Sequence, residues 1–188
     1  MKYPIKKSKA IKTTNHANLG MTLESDIDIT NKYYLDNNIA VIHKKPTPVQ
    51  VVNVSYPARN KAKITEAYYK TPSTTDYNGI YLGKYLDFDV KETNSKTSFP
   101  LRNIHEHQVE HLRNVEKHGG IAFIIVHWKQ QNIYYLTPLK LILNYWDKQK
   151  DGRKSIPYSD FTQDAYEIKI SYHPRLDYLK IVKEVYFT

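Results

Sequence analysis

The stretch Tyr85-Leu86-Asp87-Phe88-Asp89-Val90-Lys91 holds the residues of this sequence best suited to chemistry. Side chains alternate across a β-strand, so Leu86, Phe88 and Val90 fall on one face and Asp87, Asp89 and Lys91 on the other. The apolar face can pack on a core, which leaves two carboxylates and an ammonium projecting together. Upstream, Asp76 stands in Ser73-Thr74-Thr75-Asp76-Tyr77-Asn78-Gly79, at the start of a preceding strand, where it could lie across from Asp89. An aspartate facing Asp-x-Lys suits phosphodiester cleavage. Hard divalent ions such as Mg²⁺ take a few carboxylate oxygens plus water, and the reaction needs phosphate charge neutralised and a water activated in line. Asp76 and Asp89 could hold the ion while Lys91 positions the water or meets the developing charge. By itself the motif is short, and the same grouping also makes an ordinary salt bridge.

These residues need a scaffold. Asp76–Tyr81 and Lys84–Glu92 alternate as two strands joined through Gly83 as a hairpin. Before them, Leu23, Ile27, Thr30 and Tyr34 recur at helical spacing after Thr22, and Ile39–His43 reads as a strand. After them a helix is expected from about Phe99 to His118, ended by Gly119 and Gly120. Ile121–His127 is apolar throughout, as a central strand buried on both faces should be. Asn132–Leu136 follows as its neighbour, then a helix from Pro138 through Trp146, a strand at Tyr166–Ser171 and a closing helix at Leu176–Tyr186. The expected class is α/β, a central mixed sheet flanked by helices.

On the second helix Leu101, Ile104, Leu112 and Val115 form the apolar stripe, and Gln108 falls on it. An inward amide needs a partner, either a metal-bound water or phosphate at the Asp76/Asp89 site, or a backbone carbonyl. His107 and His111 have the i, i+4 spacing of a zinc pair, but His105-Glu106-His107-Gln108-Val109-Glu110-His111 is not HExxH and no third ligand is evident. There is no P-loop, no GxGxxG and no GxSxG elbow.

Composition narrows the classes further. The chain has 188 residues and a net charge of +9, which fits one domain. Hydrophobic residues at 40% rule out a wholly disordered chain. With no Cys, thiol nucleophiles, disulfides and Cys-based zinc sites are excluded. The most apolar run, Ile121–Val126, is far short of the roughly 20 residues that span a bilayer, and residues 1–20 lack the apolar block of a signal peptide. A soluble, cytoplasmic protein without membrane contact is expected. Residues 1–20 carry five Lys and no acid and read as a mobile basic arm ahead of a single domain at 21–188. Residues 44–72 interrupt the α/β pattern with a Pro-bounded excursion that carries six basic residues against Glu66 alone. It reads as an arm inserted into the domain, or as an edge hairpin with a short helix.

Taken together, GMTLE (20–24), TNKYYL (30–35), AVIHKKPTPVQ (40–50), TTDYNGIY (74–81), KETNSKTSFPL (91–101), GRKSI (152–156) and PRLDY (174–178) resemble the RecU family of Holliday junction resolvases, within the PD-(D/E)xK nuclease superfamily. The resemblance runs from about Gly20 to Phe187. It implies a restriction-endonuclease-like core and a homodimeric, Mg²⁺-dependent endonuclease, with Mn²⁺ as a substitute, that binds four-way DNA junctions and nicks two opposing strands symmetrically in recombination and repair. Recombinase and branch-migration proteins are implied as partners. By position the metal ligands fall on Thr74, Asp76, Asp89 and Gln108, the transition-state-stabilising lysine on Lys91, and a further acid on Glu24. The excursion at 44–72 matches the family's stalk, with Lys44, Lys45, Arg59, Lys61 and Lys63 as DNA contacts. One departure stands out: the family usually has Glu-x-Lys where this chain has Asp89-Val90-Lys91. Two other readings stay open, a junction-binding accessory protein with weak cleavage and a sequence-specific restriction-type endonuclease.

Overall fold

A computed structural model describes residues 22–70 and 74–187; the basic arm at 1–20 lies outside them. Helix α1 (Leu23–Asp36) is capped by Thr22, whose hydroxyl accepts the Ser25 N–H at 3.3 Å. Strand β1 (Val41–Lys44) leads to β2 (Val49–Ser55) and β3 (Lys63–Tyr69), then to β4 (Tyr77–Tyr81) and β5 (Lys84–Thr93). A short strand β6 (Ser98–Pro100) and one 3₁₀ turn precede α2 (Glu106–Lys117). Strands β7 (Ile121–Trp128) and β8 (Ile133–Pro138) follow, then α3 (Leu139–Trp146), β9 (Ser155–Pro157), α4 (Tyr158–Asp164), β10 (Tyr166–Ile168) and α5 (Tyr178–Tyr186).

The main sheet has the order β1-β4-β5-β7-β8-β10. Only β5 and β7 run parallel; the other neighbours are antiparallel, so the sheet is mixed. Helices cover both faces, as expected. On one side Leu86, Phe88 and Val90 of β5 join Phe123 and Ile125 of β7, Ile27 and Tyr34 of α1, and Leu179 and Val182 of α5. On the other, Ala122, Ile124 and Val126 meet Val109 and Leu112 of α2, Ile142 of α3 and Phe161 of α4. Every residue of β7 is buried, which accounts for its unbroken apolar run.

The β4–β5 connection is a two-residue loop with positive φ at both Leu82 and Gly83, the pattern of a type I′ hairpin turn. Gly79 has a different reason to be glycine. A Cβ there would stand 2.1 Å from the Val41 carbonyl oxygen and 2.6 Å from the Ile42 Cα, so only glycine lets β1 lie against β4.

Strands β2 and β3 form a separate two-stranded antiparallel sheet, and every residue of β3 is exposed. This hairpin replaces the short helix of the edge-hairpin reading. The Lys70 N–H closes its base on the Pro48 carbonyl at 2.9 Å. The second helix also starts later than its apolar spacing suggests. Residues 98–100 pair with Ser155–Pro157, a long-range ladder that withdraws Phe99 from the helix.

Candidate active site

The β4–β5 register sets Asn78 opposite Asp87, so Asp76, just before β4, falls level with Asp89. Asp76 Oδ2 accepts the Val90 N–H at 3.4 Å, which fixes it beside the strand that carries Asp89. Asp89 is completely buried. The Lys91 ammonium lies 2.6 Å from its Oδ2 as an ion pair. Burial, followed by the Asp76 carboxylate alongside, pushes the Asp89 carboxyl up to about 8 against the pull of Lys91. Two carboxylates forced together in a dry place are a donor set for a hard divalent cation. Among the described residues no three His, Asp or Glu side chains gather as a metal cage. Such an ion would therefore keep several waters, as Mg²⁺ prefers.

Asp87 shares this face of β5 and is also fully buried, but its oxygens are crowded with partners. Lys45 Nζ lies 2.8 Å away, Tyr85 OH donates at 2.8 Å, His111 Nε2 lies 2.9 Å away and the Thr75 hydroxyl donates too. Burial alone would raise its carboxyl, yet these bonds hold it below the ordinary aspartate value. The alternation of β5 places Asp87 on the site face. Tyr85 is its neighbour on the same face of β5, but the other three partners come from β1's end, the loop before β4 and α2, and no local spacing signals them.

Lys45, expected among the DNA contacts, is therefore turned inward; its side chain is mostly buried between Asp87 and Thr75. Lys44 faces the other way and pairs with Glu24 in the first turn of α1. Hydrogen bonding to Glu24 holds the Lys44 ammonium above the ordinary lysine range, and the nearby carboxylates of Asp28 and Asp76 add to this. Glu24 thus sits near Asp76 through a shared cation, and it is itself half exposed.

Gln108 is buried where its stripe position places it, but its Oε1 accepts the His105 N–H at 3.1 Å at the start of α2. Its partner is a backbone N–H, neither a backbone carbonyl nor, in this structure, the carboxylate pair. Thr74 sits at the bend two residues before Asp76, half-buried, and among the described residues no hydrogen bond joins it to the carboxylates. Arg59, Lys61 and Lys63 are all exposed at the far end of the β2–β3 hairpin. His107 stacks on His105, and His111 is committed to Asp87.

A mixed sheet that sets paired carboxylates and a lysine on adjoining strands is the layout expected above for a nuclease core. Comparison with known proteins places it more narrowly. Residues 18–184 match the family model of recombination protein U, RecU. The Holliday junction resolvase RecU of Bacillus subtilis is 55% identical over 175 residues, covering 93% of this chain and 84% of that protein. Its counterpart from a Geobacillus strain is 52% identical over 175 residues, covering 93% and 87%. That of a Bacillus cereus strain is 50% identical over 179 residues, covering 95% and 90%. The chain belongs to the RecU family. A solved structure of Archaeoglobus fulgidus Hjc, an archaeal Holliday junction resolvase, shares 10% identity at a TM-score of 0.41, covering 73% of this chain and 92% of that one.

Proposed function

We propose that this protein is a structure-selective endodeoxyribonuclease that resolves four-way DNA junctions by paired nicks, using Mg²⁺ or Mn²⁺, in the bacterial cytoplasm. The observation that carries the reading is the fully buried Asp89, set between the Asp76 carboxyl and the Lys91 ammonium. The family membership and the names of the relatives supply the substrate.

Asp76 and Asp89 would hold the ion; Thr74 and Gln108 are its further ligands only if the Gln108 amide leaves His105. A bound divalent ion supplies charge neutralisation at the phosphate and a more acidic water. Lys91, its ammonium already against Asp89, would offset the negative charge that grows on a phosphate bound at the ion. Asp87 takes no part in holding the ion, because its hydrogen bonds fix it as a strut that keeps β5 and the loop before β4 in one setting. The exposed cations of the hairpin supply a basic surface for phosphates. Two symmetric cuts need two such sites, so the working unit is a homodimer.

The test incubates the full-length protein with a labelled four-way junction and a matched linear duplex in Mg²⁺, Mn²⁺ and EDTA. Paired nicks confined to the junction, absent in EDTA and reduced about a thousandfold by Asp76→Ala, are expected. Tight junction binding with no cuts in either metal overturns the nuclease reading in favour of an accessory binding protein. Sequence-dependent cuts in the linear duplex point instead to a restriction-type enzyme.

A further inference from the structure

The root of the hairpin and the carboxylate strands are fastened by one residue. Lys45 follows β1 directly, and its main-chain N–H donates to the Asp76 carbonyl at 2.7 Å. Its Nζ reaches past that bond to Thr75 Oγ1 at 2.9 Å and to Asp87 Oδ2 at 2.8 Å. Segment 75–76 is therefore gripped through backbone and side chain together, and the grip ends on β5 two residues before Asp89. Between Lys45 and β2 lie only Pro46, Thr47 and Pro48. Proline rings fix φ at two of those three positions, so this connection has little freedom to absorb a swing of the hairpin. The returning limb is tied as well, through the Lys70–Pro48 bond.

Asp87 is a firm anchor. It is wholly buried and receives bonds from Lys45, Thr75, Tyr85 and His111. Of these, Lys45 is the one that also touches the chain leading into the hairpin.

We propose that Lys45 is a positioning residue that couples the setting of the β2–β3 hairpin to that of Asp76, holding DNA bound on the hairpin in register with the carboxylate pair. This rests on the nuclease site described above. Lys45 meets no phosphate in this scheme; it acts through Asp76 and Asp87.

Two variants of the full chain separate the possibilities. In Lys45→Met/Asp87→Asn the pair is replaced with shapes kept and no lone buried charge left behind. In Pro46→Gly/Pro48→Gly the Lys45–Asp87 bond stays and only the stiff connection is loosened, so folding is not at risk from the buried pair. The absence of native Cys allows spin labels at Ile64→Cys on the hairpin and Ile80→Cys on the main sheet, both exposed positions. The readouts are the label-to-label distance distribution, junction affinity in EDTA and the single-turnover cleavage rate in Mn²⁺.

Both variants should broaden the distance distribution and slow cleavage by about tenfold or more, with junction affinity within about threefold of the parent. Lys45→Arg, which keeps a cation on Asp87, should recover much of the rate. An unchanged distance distribution in both variants overturns the coupling. So does a broadened one with an undiminished rate, and so does a loss confined to affinity, which would make Lys45 a plain DNA contact. If Asp76→Asn cleaves at the full rate, the nuclease site itself is wrong, and the distance measurement still decides whether Lys45 holds the hairpin.

Discussion

Asp89 stands where the resemblance to the RecU family implies a glutamate before x-Lys; its carboxylate is carried on one methylene fewer, a withdrawal of about 1.5 Å, one bond length. Mg²⁺ demands near-octahedral geometry and tolerates displacement of a ligand poorly. Cleavage in Mn²⁺ is therefore expected to exceed cleavage in Mg²⁺, and Asp89→Glu to narrow that difference; metal titrations of junction cleavage on both proteins check it, and equal rates with no effect of the substitution would show the shorter side chain to be neutral. The neighbouring Asp87 shows how much of a site a sequence hides at this scale. Both aspartates sit on one face by alternation, yet among the described residues one is bound by four partners and the other meets only Lys91 and Asp76. That difference is made by Lys45, Thr75, Tyr85 and His111, three of them remote in the chain. The alternation that sets Asp89 and Lys91 on one face therefore gives no sign that the Lys45 side chain turns inward onto Asp87.

Among elements, the strands of the site were legible and the additions around them less so. The alternation of β5, the turn at Leu82–Gly83 and the unbroken apolar run of β7 are local signals, and each element formed where they stood. The pairing of β6 with β9, which delays α2, depends on residues more than fifty positions apart and leaves no local trace. Gly79 links the site strand to β1, and Gly79→Ala should disrupt that pairing, seen as loss of amide protection in β1 by hydrogen exchange. At the other end of β5, Glu92 accepts the Leu23 N–H that opens α1 and pairs with Lys129 and His127. Burial would raise its carboxyl, but the Lys129 and Leu23 bonds win and hold it below the usual glutamate value. A depressed carboxyl stabilises the fold above its unfolded-state value and loses that contribution as pH falls through the folded one. Thermal melts in the acid range, below about pH 4.5, should thus fall less steeply for Glu92→Gln than for the parent. Further out, Arg59, Lys61 and Lys63 leave the hairpin uncovered by protein; reversing their charges should weaken junction binding measured at about 150 mM salt, with the melt unchanged.

The molecule as a whole is closed by contacts between α1 and the segment around residues 175–179. Arg175 pairs with the buried Asp26, Leu176 N–H donates to Thr30 Oγ1 at 3.1 Å, Tyr178 OH bonds Asn31, and Tyr34 OH donates to Asp177 at 2.9 Å. Two of the family-resembling blocks, 30–35 and 174–178, thus meet in a structural lock. Arg175→Ala leaves Asp26 buried with only the Tyr134 hydroxyl for company, and should cost about 3–5 kcal/mol in urea unfolding. The partners in this lock lie some 146 residues apart. During synthesis α1 emerges early, with Asp26, Thr30, Asn31 and Tyr34 unmatched, and must wait until Leu176 and Tyr178 have been made before it can close. A nascent chain truncated before residue 175 would hold both aspartates of the site yet lack the wedge that seats α1 against β5. The nuclease core thus comes to order only once both halves of this lock have left the ribosome.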